Sequence, residues 1–398
     1  MTRTRSGAES SPSGPPPLDL VVFTVIVDDL VFADGATRMG VLGGGGPQTA
    51  FGFRTHPGDF SVGLAAGVGP DFPRECADWL DANGVDTEGL MLVRDERTNT
   101  SGAVEGEGDG GDEEEGGSSW EGGGASASAF VARRESALAE KTNAQHPFRP
   151  TPRAWQITEH DGRRTQVWRT PANAHLYAML RPPAETLPPR YRGAKAFHVG
   201  VHPERPDATL LKALREKGIF GGDDEKNKNE NVLLSVEPFT RATRPVSIET
   251  LHTLCSAGDV FSPNELEAVS LVGEGSPAEL CRRLADAGAK IVCVRRGENG
   301  AVVHNAATGE TWDVPAFLED QSRLADVTGC GNAFCGGFMA GLVSGESLDR
   351  AACWGSAAAS VMAEHVGVPT VPAGDARTRA EVLRRFEALL RRTAKIDG

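Results

Sequence analysis

Apolar residues run almost unbroken through "DLVVFTVIV" at residues 19–27. They do so again in "NVLLSVE" (231–237), "DVFSP" (259–263), "KIVCVR" (290–295) and "AVVHN" (301–305). Short continuous runs of this kind predict strands buried on both faces. Between and after them the period changes to three or four, as in "DFPRECADWLDANGV" (71–85), which predicts helices. Alternation of the two patterns from 231 to about 375 predicts a parallel α/β arrangement. A different signature stands at 153–170, "RAWQITEHDGRRTQVWRT", where two alternating stretches flank Asp161-Gly162. That pattern predicts a β-hairpin inside an otherwise α/β chain, the layout of a doubly wound domain with a small β lid. The final periodic stretch, "RTRAEVLRRFEALLRRT" (377–393), predicts an amphipathic C-terminal helix over 376–398.

Three segments break the pattern. Residues 1–17 read as a tail without an apolar core, so not as a secretory signal. Its Arg and Ser content leaves organellar targeting open, beside the cytoplasm as the default location. Residues 96–150 are rich in Gly, Glu, Ser and Ala and predict a disordered insertion. A shorter insertion, "GGDDEKNKNEN", spans 221–231. The main structured body is thereby expected over 18–375.

Charge changes the picture only once located. The 398-residue chain carries a net −14, but eight acids and no Lys or Arg fall in residues 101–124, more than half of that excess. Without a basic stripe, no nucleic-acid partner is expected. No apolar run approaches the roughly 20 residues of a membrane helix. Seven cysteines stand without a Cys-x-x-Cys pair, which disfavours zinc and disulfide frameworks and points to a reducing compartment.

Four stretches carry candidate chemistry. In "DVTGCGNAFCGGFMAGLV", Gly329 and Gly331 open a helix whose Phe334, Phe338 and Leu342 recur every four residues. A glycine loop feeding a helix N-terminus binds anions, although small residues there can equally serve close packing. In "GVLGGGGPQTA", four glycines admit a ligand close to the backbone or form a flexible loop. They match neither the spaced dinucleotide fingerprint nor the P-loop. In "SPNELE", Asn264 and Glu267 lie three apart on one helical face, placed to share a hydrated cation or to cap the helix. In "VIVDDLVFADG", Asp28 and Asp29 follow an apolar strand, where acids meet ligands in doubly wound folds or sit solvated.

Together and in this order, the stretches resemble the pfkB (ribokinase-like) carbohydrate kinase family. "DVTGCGN" resembles its D-T-x-G-A-G-D signature, "GGGGPQTA" its G-G-x-x-x-N-x-A, "NELE" its N-x-x-E and "RRGENGA" its T-x-G-x-x-G turn. "TPRAWQ", "VEP", "FSPNELE", "EHVGVP" and G-x-G-N for G-x-G-D resemble its fungal "maintenance of killer" branch. The resemblance covers 20–95 and 150–375. It implies a three-layer α/β/α fold with a mostly parallel central sheet and a β lid. It implies ATP and Mg²⁺ as cofactors, a sugar or nucleoside-like substrate, and room for a homodimer. Gly329, Cys330 and Gly331 would form the anion hole, with Asn332 at the position of the catalytic Asp. Asp28, Gly44, Gly45 and Gln48 would bind the acceptor, Asp28 being favoured over Asp29 by alignment alone. Arg295, Gly297, Gly300 and Asp326 would flank the nucleotide, and Asn264 and Glu267 would organise Mg²⁺ through water.

Three residues depart from the family pattern: Gln48 for Asn, Arg295 for Thr and Asn332 for Asp. An amide cannot take a proton from an alcohol at neutral pH, but it can orient one. Two readings therefore stand. One is a kinase weakened at its base; the other is a catalytically silent binder of nucleotide or sugar. A Rossmann dehydrogenase is disfavoured for want of the fingerprint.

Overall fold

The computed structural model describes residues 16–95, 118–122, 127–140, 148–160, 164–216 and 232–396. The apolar run at 19–27 does not form one strand. It breaks at Thr24, whose φ of 78° lies in the left-handed region, and the two halves enter different sheets. Leu20–Phe23 joins the central sheet, while Ile26–Val31 turns up into the lid. The Thr24 hydroxyl donates to the Leu180 carbonyl, and its own carbonyl accepts from Gly46 N–H, which anchors the break from both sides.

The central sheet is parallel through its middle. Leu20–Phe23 pairs with Val62–Val68 on one side and Ala196–Val201 on the other. Leu233–Pro238, Val260–Phe261 and Ile291–Arg295 follow in parallel register. Ala301–Asn305 and Thr311–Val314 add antiparallel edge strands. One buried cluster lies on one face, with Phe51, Phe338, Trp354 and Phe386. A second, with Phe197, Leu211, Leu254 and Leu284, lies on the other. Helices cover both faces, giving the three layers expected. The lid is the separate four-stranded sheet of Thr37–Gly43, Ile26–Val31, Arg153–Thr158 and Arg164–Trp168, in that order. The hairpin pairs as predicted, Ala154 opposite Trp168; its Asp161-Gly162 turn lies outside the described residues.

The four-glycine stretch is not a loop. It enters helix Gly45–Arg54, which packs against helix Cys330–Val343 at backbone contact. A Cβ on Gly52 would stand 2.1 Å from the Ala333 carbonyl oxygen, and one on Gly336 would stand 2.0 Å from that of Thr49. The second helix is buried all round from Ala333 to Gly341, rather than along a single face of Phe334, Phe338 and Leu342.

Two segment expectations need correction. The stretch 96–150 is not wholly unpacked. Ser118–Glu121 pairs antiparallel with Leu90–Asp95, and helix Ala127–Ala139 buries Phe130 and Ala137, the former edge-on to Phe72. Two apolar residues seven apart suffice to dock two helical turns even in glycine-rich sequence. Residues 96–117, 123–126, 141–147 and the insertion at 221–231 lie outside the described residues. At the other end, the helix over 376–398 stops at Leu390. Ala394–Ile396 then pairs with Thr311–Val314 as the outermost strand of the central sheet.

That last helix, Ala376–Leu390, belongs to the core. Arg385 is 1% exposed and donates to Glu381 (2.8 Å), Ser360 (3.0 Å) and Glu364 (2.9 Å). Arg385→Ala removes all three bonds and leaves two part-buried carboxylates. It should cost about 1–3 kcal/mol of stability, read as a lower urea midpoint of one cooperative transition. A two-step transition, with the helix lost first, would show instead that the helix is an independent unit.

Candidate active site

A cavity of about 1340 Å³ opens at the carboxyl ends of the parallel strands, beneath the lid. This is where open α/β sheets bind ligands. It exceeds the roughly 300–1,000 Å³ typical of one drug-sized ligand. Every residue assigned to the site from the sequence lines it except Asp326: Asp28, Gly44, Gly45, Gln48, Asn264, Glu267, Arg295, Gly297, Gly300, Gly329, Cys330, Gly331 and Asn332. Asp326 instead shapes the loop, its carboxylate accepting from Thr328 N–H at 2.8 Å.

Helix Cys330–Val343 aims its N-terminus into this space. Gly329, the residue before it, has φ 82°, a conformation that costs glycine least. No side chain caps this end. The Cys330 N–H reaches the Val327 carbonyl at 3.3 Å, while the next N–H groups belong to the first turn, which has no intrahelical acceptors. Such an end is an anion site.

Asn332 is engaged beside it. Its Nδ2 donates to Gln48 Oε1 at 2.6 Å, and the Gln48 side chain lies over Gly329, where a Cβ would meet its Cδ at 2.5 Å. Arg295 packs on the same turn: a Cβ on Gly331 would stand 2.0 Å from its Nη1. The three departures from the family pattern are thus neighbours around one loop, a relation that 284 residues of separation hide in the sequence.

The Asp28/Asp29 pair lies inside a lid strand, not past the end of one, so its members face opposite ways. Asp28 lines the cavity and accepts from Gln156 Nε2 at 3.0 Å. Asp29 faces away, fully buried, held by Arg153 at 2.9 and 3.0 Å and by Arg169. Burial alone would raise its pKa. The Arg153 hydrogen bonds, with the Gly40 N–H and Arg169, overcome this and hold it at about 2.

Asn264 and Glu267 form a reciprocal capping box. Asn264 Oδ1 accepts from Glu267 N–H at 2.9 Å, and Glu267 Oε2 accepts from Asn264 N–H at 2.7 Å. Burial pushes the Glu267 carboxyl up to about 7 against the pull of Arg295. The Arg295 guanidinium stands 3.8 Å from Glu267 and 3.1 Å from Glu237. A divalent ion shared by Asn264 and Glu267 would therefore meet a fixed positive charge and a carboxyl already committed to the cap. This pair does not fit Mg²⁺.

Sequence reasoning gave Glu237 no role, though it ends the strand Leu233–Pro238 at the cavity floor. Burial would raise its pKa too, but Arg295 and His198 outweigh that and lower it. His198, Glu237 and Cys335 bring ligand-type atoms within 4.8 Å of one another. The signal for Glu237 was present, an acid closing an apolar strand in "LLSVEP". No spacing could connect it to residues 198 and 335. The seven cysteines are all free. Among the described residues no helix is long and apolar enough to cross a membrane.

Comparison with known proteins follows the same lines. Residues 224–373 match the model of the pfkB family carbohydrate kinases. A cytidine kinase of Thermococcus kodakarensis is 29% identical over 164 residues, 41% of this chain and 53% of that protein. The match thus spans about half the length of that relative. An Escherichia coli protein assigned as a ribokinase II, solved with ATP and Mg²⁺, is similar at TM-score 0.57 and 15% identity, over 94% of this chain and 99% of that one. The Burkholderia thailandensis nucleoside kinase, solved with inosine, is similar at TM-score 0.56 and 16% identity, over 93% and 96%. The chain has the ribokinase-like fold, and its residues 224–373 carry the sequence pattern of the pfkB family carbohydrate kinases.

Proposed function

We propose that the protein is a pfkB-type, ATP-dependent phosphotransferase acting on a hydroxyl of a small sugar or nucleoside-like substrate, with Asn332 in place of the catalytic Asp. One observation supports it most. A single cavity unites an uncapped helix N-terminus, suited to phosphate, with a buried acid under the lid, Asp28, suited to hydroxyl groups. The kinship with the fungal "maintenance of killer" branch belongs to the same proposal. So do the assignments of Gly329–Gly331 to the transferring phosphate, of Asp28, Gly44, Gly45 and Gln48 to the acceptor, and of Gly297 and Gly300 to the nucleotide.

The reaction forms a bond from the acceptor oxygen to the γ-phosphorus and breaks the bond from that phosphorus to ADP. Transfer of this kind rests mostly on positioning and charge stabilisation. The acceptor's proton must leave. Asn332 cannot take it, but its side-chain oxygen, 3.5 Å from where a Cβ on Gly45 would stand, can orient the hydroxyl. ATP is the cofactor in this reading. Mg²⁺ accompanies ATP in the Escherichia coli structure, but no step here is routed through the Asn264–Glu267 pair.

A silent, ligand-binding role is the second reading. The 2.6 Å bond between Asn332 and Gln48 favours it, because the amide at the base position is already occupied.

Asn332→Asp separates the two. In a kinase short of its base, the near-isosteric acid should raise turnover roughly 100-fold with little change in ATP affinity. A coupled assay of ADP release on both proteins, over a panel of sugars and nucleosides, reads this. No transfer by either protein would leave the silent reading standing. Brisk wild-type transfer that the substitution lowers would show that position 332 lacks no base.

Gly331→Val tests the anion loop. The new side chain must displace the Arg295 guanidinium, 2.0 Å from its Cβ, and crowd the first turn. Calorimetry should show ATP affinity falling by about tenfold or more, the worth of one charge-assisted hydrogen bond. Unchanged affinity in a folded variant would make the loop structural only.

A further inference from the structure

We propose that the guanidinium of Arg295, at the position of the family's Thr, is the resident cation of the phosphoryl site, so that nucleotide binding here does not require Mg²⁺. This rests on the ATP-binding reading above. Arg295 ends the strand Ile291–Arg295 at the cavity, with its side chain 13% exposed. One arm is fixed from below. Nη2 donates to the Ser262 carbonyl at 2.7 Å and stands 3.1 Å from Glu237 and 3.8 Å from Glu267. The other arm, Nη1, lies over Gly331 on the uncapped first turn of helix Cys330–Val343.

Three points follow from this geometry. Glu237, Glu267 and the Ser262 carbonyl all engage Nη2, which leaves Nη1 to lie over the first turn of the helix at the cavity. Nη1 and the helix N-terminus lie side by side, an arrangement that favours an anion between them. A metal ion at Glu267 would sit against the guanidinium. The same objection meets an ion at His198, Glu237 and Cys335, since Glu237 is the carboxylate that Arg295 holds more closely. An arginine set on a transferring phosphate supplies charge stabilisation that a divalent ion otherwise gives. With a Thr here, the family's residue, the position would carry no charge.

The test is ATP binding by calorimetry on the full chain, in EDTA and in Mg²⁺, for the wild type, Arg295→Thr and Arg295→Lys. The wild type should bind with similar affinity in both conditions. Arg295→Thr should lose roughly 10- to 100-fold in EDTA, the worth of one charge-assisted contact, and recover part of it with Mg²⁺. Arg295→Lys keeps the charge and should stay metal-independent. Removing Arg295 leaves Glu237 and Glu267 without their cation. Should Arg295→Thr not fold, Arg295→Thr/Glu237→Gln, which removes a carboxylate along with it, takes its place. A wild type whose affinity collapses in EDTA as steeply as that of the Thr variant overturns the inference and leaves the kinase reading intact. No ATP binding by any of the proteins in either condition overturns both.

Discussion

Two helices in backbone contact hold the site together. Gly45–Arg54 and Cys330–Val343 approach so closely that a single methyl group on Gly52 or Gly336 would collide with the facing carbonyl oxygens. Close packing of this kind forfeits side-chain burial along the contact. It gains a fixed axial and rotational relation between the helices, because backbone cannot shift rotamers to relieve a misfit. Both helices begin at the same cavity. Their first turns bring Gln48 to Asn332 and Gly45 alongside, at a distance set by the glycine contact. Gly337 and Gly341 extend the same principle to Leu348–Met362, where added Cβ atoms would stand 2.5 and 2.6 Å from backbone atoms.

Around that fixed frame the charges are arranged in two groups that do not touch. In the lid, Asp29 is locked between Arg153 and Arg169, with Arg169 also over the Trp155 ring at 5.1 Å. This ion group ties strand Ile26–Val31 to the hairpin and leaves Asp28, on the other face of the same strand, to the cavity. On the cavity floor, Arg295 joins the strand ends of Glu237 and of Ser262 to the capping box of Asn264 and Glu267. Buried charges cost several kcal/mol each unless they are paired and hydrogen-bonded. A guanidinium held on the floor of this cavity is paired in that way, with Glu237 and Glu267. Two carboxylates share it unequally, the nearer, Glu237, lowered in pKa and the farther, Glu267, raised to about 7.

The three departures from the family pattern gain meaning from this arrangement. Taken singly along the chain, Gln48, Arg295 and Asn332 read as separate losses. In space they surround one helical turn, with Gln48 over Gly329, Asn332 bonded to Gln48 and Arg295 on Gly331. By that resemblance, a neutral amide stands at the position of an acid and a permanent cation at that of a neutral hydroxyl. Both changes move the local charge in the same direction, toward a stronger hold on an anion.

The sequence by itself determined the fold class and the roster of the cavity. Short apolar runs alternating with helical periods read as the buried strands of a parallel α/β sheet, and a glycine loop before an apolar period reads as the start of a helix. Thirteen named residues, Asp28 to Asn332, line one cavity, and all but Asp28, which lies inside a lid strand, belong to motifs near element ends that a doubly wound topology gathers. What the tertiary structure alone decided were relations across long separations and choices between equal local readings. Asp28 rather than Asp29 faces the cavity because Thr24 breaks the apolar run and rotates the next strand into the lid. Asn264 and Glu267 form a capping box, and Arg295, from another strand, comes to stand 3.8 Å from the Glu267 carboxyl. Glu237 joins the site through partners 39 and 98 positions away. Ala394–Ile396 is a strand because a free sheet edge at Thr311–Val314 offers hydrogen bonds that no local propensity announces. Periodicity reports burial along one element; it carries no record of which other element supplies the partner.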